Sequence, residues 1–200
     1  MRLRVFALVG ALLLTGCTPV VETDAVQKLQ EGLDPLSQTI TWTDCEDSFE
    51  CATVAAPLNW LEPGEDFISL ALIRKAGTSD LPPLLVNPGG PGSSGYNWLR
   101  DSYDSIGSSA LKENFQLIGF DPRGVEHSDG VTCVDIELKD EVYYGQSPYP
   151  FGSDEDIAWS IKVMEDFAES CQEVGYDTAY FNTQQTARDL EMFRVLLSMP

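Results

Sequence analysis

A short apolar run, Leu84-Leu85-Val86, breaks abruptly into Asn87-Pro88-Gly89-Gly90-Pro91-Gly92-Ser93-Ser94-Gly95. No other stretch restricts the fold as much. The run has the length of a buried strand, while Tyr96, Trp98 and Leu99 open a helical pattern beyond the loop. Glycine permits positive φ and close backbone approach, and proline fixes the path between glycines. A glycine loop between a strand end and a helix start aims backbone N–H groups at an anion, either a bound phosphate or a transient oxyanion.

The phosphate alternatives fit poorly. A Walker loop ends in Gly-Lys-Ser/Thr, and no lysine lies between Lys75 and Lys112. Gly90-Pro91-Gly92-Ser93-Ser94-Gly95 matches the dinucleotide pattern G-x-G-x-x-G in form, but proline occupies its tight turn and no acidic ribose partner is evident. The plain alternative is a structural strand-to-helix turn.

A second motif narrows the choice. Phe120-Asp121-Pro122-Arg123-Gly124-Val125 follows a further apolar run, Phe115 to Phe120. Together, the two motifs resemble the secreted tripeptidyl-aminopeptidase branch of the α/β-hydrolases, and the related proline iminopeptidases carry a similar His-Gly-Gly-Pro-Gly loop. The resemblance covers roughly Trp42 to Pro200. It implies an α/β-hydrolase fold, present as the N-terminal half of a mostly parallel sheet with flanking helices. It places half of an oxyanion hole on the glycine loop, with Gly90 N–H as the donor and Gly89 beside it. A cis Gly90–Pro91 bond is admissible, because only X–Pro bonds adopt cis cheaply. The Asp-Pro-Arg-Gly turn braces the active-site rim in this family. The usual continuation is Gly-x-Gly-x-Ser, but here Glu126 stands where glycine is common.

The rest of the mechanism implied by the resemblance is acyl transfer by a serine on a Gly-x-Ser-x-Gly turn, an acid and a late histidine. No such pentapeptide occurs here. His127, the single histidine, lies beside the rim turn and too early in chain order to be the base. We therefore expect residues 39–200 to be the N-terminal portion of a catalytic domain, inactive as these 200 residues alone. No metal or organic cofactor is implied. The expected substrate is a peptide with a free N-terminus, shortened by small units. An esterase of the same fold and a non-catalytic lipoprotein or degenerate remnant are the alternatives.

The N-terminus reads as an export signal. Arg2 and Arg4 precede an apolar stretch, Val5 to Leu14, too short to span a bilayer, and Leu14-Thr15-Gly16-Cys17 has the form of a lipobox. Residues 1–16 are then a lipoprotein signal peptide, Cys17 the lipidated residue, and residues 17–38 a tether with a helical turn near Val26 to Leu29. The chain has five cysteines, an odd number for an exported protein. Assigning Cys17 to lipid leaves Cys45, Cys51, Cys133 and Cys171, which could pair in three ways. Cys45–Cys51 closes a short local loop, and Cys133–Cys171 ties the segment after Asp-Pro-Arg-Gly to a later helix. Disulfides suit an oxidising compartment, the bacterial cell envelope, whereas a zinc site is disfavoured by the lack of C-x-x-C and the lone histidine. The formal charge is −20, and a balance so acidic argues against nucleic-acid binding. Contact with a membrane is left to the anchor. A cationic peptide N-terminus is compatible with this charge, as is plain solubility.

Periodicity gives the remaining elements. Ile40 with Trp42, Ala52 to Ala55, and Phe67 to Ile73 read as strands, and Tyr96 to Leu111 as a crossover helix. Val142 to Gly152 reads as an irregular aromatic loop. Ser153 and Asp156 form a capping box for a helix to about Cys171, with Ile157, Ile161, Met164, Phe167, Ala168 and Cys171 as its buried stripe. A last helix follows Asn182-Thr183, with Ala187, Leu190, Phe193 and Leu197 on its apolar face.

Overall fold

The computed structural model describes residue 32 and residues 34–64, 66–131, 133–173 and 178–200. The signal peptide, Cys17 and the Val26–Leu29 turn lie outside the described residues. A five-stranded sheet forms the centre, built from β1 (Thr43–Asp44), β2 (Phe49–Pro57), β3 (Phe67–Lys75), β4 (Pro83–Val86) and β5 (Gln116–Phe120) in the order β1-β2-β3-β5-β4. Three of its four pairings are antiparallel, and only β4–β5 is parallel. The sheet is therefore mixed, which corrects the expectation of mostly parallel strands. Parallel pairing appears where a long crossover joins the strands, while the close spacing of β1, β2 and β3 favours antiparallel neighbours.

The crossover itself is two helices. α1 (Gly95–Ser102) and α2 (Ser109–Asn114) are separated by the turns of residues 103–108, where one helix to Leu111 was expected. Ser94 caps α1 by accepting from Asn97 N, and Ser108 caps α2 by accepting from Leu111 N. The second cap restarts the helix, because a serine side chain competes for the amides that a continuous helix would use. Further on come α3 (Ile136–Tyr144), α4 (Asp154–Glu173) and α5 (Thr183–Leu196). α3 takes up the start of the stretch read as an irregular loop; Asp135 caps it by accepting from Leu138 N.

Alternation along the strands sorts the core into two layers. Ile68, Leu70 and Leu72 of β3, with Ile118 and Phe120 of β5, face Met192 and Phe193 of α5. Ala71 and Ile73, with Leu117, face Tyr96 and Leu99 of α1. Both faces are covered, which explains the unbroken apolar run of β3. Two glycines set how closely α1 approaches. A Cβ on Gly95 would lie 2.3 Å from the Phe120 carbonyl oxygen, and one on Gly119 would lie 2.5 Å from the Gly95 oxygen.

The packed region reaches back to Asp34–Gln38. Gln38 clasps β2 from the side, its Oε1 accepting from Ala55 N and its Nε2 donating to Ala55 O. Both disulfides, Cys45–Cys51 and Cys133–Cys171, are present. The stripe proposed for α4 requires a correction. Val163 is its one buried hydrophobic residue, while Ile157, Ile161 and Met164 are each about half exposed, at 51%, 53% and 52%. Coverage falls instead on Val163 and Trp159, beside the stripe, and on the stripe's own C-terminal members Phe167 and Cys171, which are partly covered. Periodicity identifies an apolar face but says nothing of what covers it.

Candidate active site

The glycine loop connects β4 to α1 at the end of the sheet. Gly89, Gly90 and Gly92 have φ of +91°, +134° and +88°, values that L side chains rarely adopt, and the Gly90–Pro91 bond is cis. A Cβ at Gly90 would also meet Gly92 N at 2.9 Å and Ser93 N at 3.0 Å. The amides differ in what they do. Gly89 N donates to Asn87 Oδ1 at 2.8 Å, so the side chain before the loop occupies it. No acceptor among the described residues takes the Gly90 N–H. The loop is exposed along residues 87–93.

The turn after β5 is tied directly to the end of this loop. Asp121 has no exposed surface, and its Oδ1 accepts from Ser94 Oγ at 2.7 Å and from Tyr96 N at 3.1 Å. Its Oδ2 accepts from His127 N at 3.0 Å. Ser128 and Asp129 continue the pairing with β3 through their side chains: Ala71 N donates to Ser128 Oγ and Ser69 N to Asp129 Oδ2. Gly124 has φ of +81°, and a Cβ there would press on the Phe181 ring. Glu126, at the position where glycine is common, has φ of +39°, so the left-handed turn is kept despite the side chain.

His127 lies on the exposed rim. Its ring stacks on Tyr96 with centroids 4.2 Å apart, and Nε2 is 2.9 Å from Asn97 Oδ1. Tyr96 in turn points its hydroxyl at Cys51 Sγ of the first disulfide, and burial pushes that hydroxyl's pKa up. Arg123 points the other way, into the protein. Its Nε and Nη2 form a bidentate pair with Asp189 at 2.7 Å each, and it also donates to the carbonyls of Leu58, Pro57 and Tyr180. Trp60 Nε1 adds a third bond to Asp189. Side-chain exposures of 1% for Arg123 and 3% for Asp189 leave solvent little part in this pair. The turn is thereby fixed to α5. Beside it, a cleft of about 540 Å³ is lined by Gly124, Val131, Phe167 and Phe181, with the Cys133–Cys171 disulfide in its wall.

The two cysteine pairings favoured from the sequence are formed, and Gly89 and Gly90 lie together on the loop; the partners that Ser94, Asp121, Ser128 and Trp60 find were not foreseen. The signal for Ser94 was available: a serine directly before a helical pattern is a cap. The partners of Asp121 come from two separate loops, and nothing local reveals them. Among the described residues, no group of three His, Cys, Asp or Glu side chains is placed to hold a metal.

No family model matches the chain. Individual proteins do. The chain is 34% identical over 173 residues to a tripeptidyl aminopeptidase of Streptomyces lividans, covering 79% of this chain and 31% of that protein. It is 30% identical over 199 residues to the serine protease Hip1 of Mycobacterium tuberculosis, covering 94% of this chain and 37% of the relative. Carboxylesterase B of the same organism is 30% identical over 166 residues, with 77% and 32% covered. The chain thus spans about a third of the length of the curated relatives it matches.

Proposed function

From its place among relatives of the tripeptidyl-aminopeptidase branch of the α/β-hydrolases, we propose that this chain supplies the N-terminal portion of a serine hydrolase's catalytic domain. The enzyme releases short peptides from the N-termini of peptide substrates. The observation that carries this reading is the Gly90 amide: among the described residues no acceptor takes it, and it sits on an exposed loop that backbone sterics hold in shape. Such a donor stabilises the oxyanion of a tetrahedral intermediate, and losing one typically raises the barrier by about 3 kcal/mol. Gly89 N–H is already engaged by Asn87, so Gly90 is assigned the donor role and Gly89 the conformational one.

In this proposal the nucleophile, acid and base come from sequence outside these 200 residues, which alone do not hydrolyse substrate. A substrate ammonium group suits a chain of charge −20. The protein is exported, in keeping with its two disulfides, and held on the membrane by lipid at Cys17. Replacing Cys17 with serine should move it from the membrane to the soluble fraction; unchanged partitioning would remove the anchor from the proposal.

The direct test is to express the complete reading frame containing this chain and assay tripeptidyl anilides beside simple esters. Cleavage of the anilide, abolished by a serine-directed phosphonate, is the expected result. The carboxylesterase relative favours a second reading, and cleavage of esters alone would select it. A reading frame that carries Gly-x-Ser-x-Gly yet cleaves neither substrate would overturn both.

A further inference from the structure

Asp121 has no exposed surface, yet the mechanism outlined above gives it no role. A carboxylate this buried is costly unless hydrogen bonds meet its charge. The donors that do so come from two separate segments. Ser94 Oγ and Tyr96 N belong to the end of the glycine loop and the start of α1, and His127 N belongs to the turn after β5. The N-terminal end of α1 adds a favourable dipole.

Ser94 is fixed in both directions. Its hydroxyl donates to Asp121 Oδ1 at 2.7 Å and accepts from Asn97 N at 2.8 Å, so its orientation is fully specified. The turn that carries Gly90 folds back on the residues just before Ser94: a Cβ at Gly90 would clash with Gly92 N at 2.9 Å and crowd Ser93 N at 3.0 Å, so a shift of this backbone is felt at Gly90. A continuous path therefore runs from the buried carboxylate through Ser94 and Ser93 to Gly90.

We infer that Asp121 is a positioning residue: it sets the direction of the Gly90 amide by clamping Ser94, and couples the glycine loop to the Asp-Pro-Arg-Gly turn. The inference rests on the functional reading above and adds to it a residue that never touches substrate. An oxyanion donor matters most in the transition state, so a loosened clamp lowers kcat and leaves KM nearly unchanged.

The test uses the protein expressed from the complete reading frame, with Asp121→Asn, Ser94→Ala and Ser94→Thr. Asparagine keeps one acceptor but turns an amide N–H toward the His127 N–H; alanine removes the clamp from the other side; threonine retains the hydroxyl. We expect kcat to fall about 10- to 100-fold in Asp121→Asn and about tenfold in Ser94→Ala, less than the roughly 100- to 1,000-fold that outright loss of an oxyanion donor costs. KM should stay within about twofold, and Ser94→Thr should keep the wild-type rate. Amide exchange at Gly90 to Tyr96 should quicken in the first two variants while β3 and β5 exchange as before. A loss confined to KM, or loop exchange unchanged in both variants, would overturn the inference. If Asp121→Asn fails to fold, the Ser94→Ala and Ser94→Thr pair decides alone. A wild-type protein that cleaves neither peptides nor esters would sink the functional reading, yet the exchange comparison would still decide whether Asp121 clamps the loop.

Discussion

The region from β4 to the turn after β5 and the α3–α4 pair are neighbours in the chain but are built on different plans. In the first, apolar side chains vanish between α1 and the sheet, and the buried polar groups Asp121, Arg123 and Ser128 each have partners. In the second, Ile157, Ile161 and Met164 are half exposed, and Tyr144 and Phe151 stand on the surface at 81% and 101%. Both regions have helices with good caps and regular apolar spacing. The difference lies in whether a second surface covers that spacing, since stability comes from the covered area rather than from the pattern. The rigid region is the one that carries the candidate oxyanion donor, as preorganised catalysis requires.

The sharpest way to break the comparison is to cut the link between the Asp-Pro-Arg-Gly turn and α5. Arg123→Ala leaves Asp189 buried with Trp60 as its remaining side-chain donor, and breaking a buried pair this way costs about 3–5 kcal/mol. Urea unfolding of the variant would measure it, and a loss below 1 kcal/mol would show that the pair is dispensable. Next in size is Gly95→Ala, whose added methyl meets the Phe120 carbonyl at 2.3 Å. Overpacking of this kind costs about 1–3 kcal/mol, and it should lower the melting temperature and loosen α1 ahead of the rest. Unaltered stability would mean that α1 can slide off the sheet without penalty.

These two sites also show what the sequence could reveal and what it could not. The strand–loop–helix order around Gly90 was legible because it depends on local rules: apolar run, glycine, proline, cap. The continuous apolar run of β3 likewise announced a strand buried on both faces. Strand direction was written only in the length of the joints: the stretch between Pro57 and Phe67 is too short for a parallel crossover, a signal that the single strand–helix–strand unit around Gly90 does not extend to β2 and β3. Arg123 stood out within the Asp-Pro-Arg-Gly motif, but its partner Asp189 lies 66 residues away and the pairing is fixed only when α5 packs. The role of Asp121 within that motif was hidden for the same reason, as its donors lie up to 27 residues away. On α4 the period was read correctly and its orientation was not, since Val163 outside the proposed stripe is the residue that became buried.

Two smaller effects sharpen the contrast from the other side. Ile161→Ser removes an apolar side chain that is already half in water, so the change in unfolding free energy should stay within about 0.5 kcal/mol. A loss above 1 kcal/mol would place this face in a packed environment and erase the distinction between the regions. The smallest effect concerns the start of α4. Asp156 accepts from Gly152 N at 2.8 Å, and its own amide donates to Ser153 Oγ. The Gly152 amide first, and then the Ser147 hydroxyl, hold the Asp156 carboxyl below its ordinary value. A carboxyl depressed in the fold contributes its stability above the unfolded pKa and loses it as pH falls through the folded one. The first turn of α4 should therefore fray on acidification while α1 and the sheet hold. Amide chemical shifts of residues 153–157 followed down in pH would record the transition, and Asp156→Asn should flatten it. A transition that persists in that variant would assign the acid sensitivity to another carboxylate of this helix.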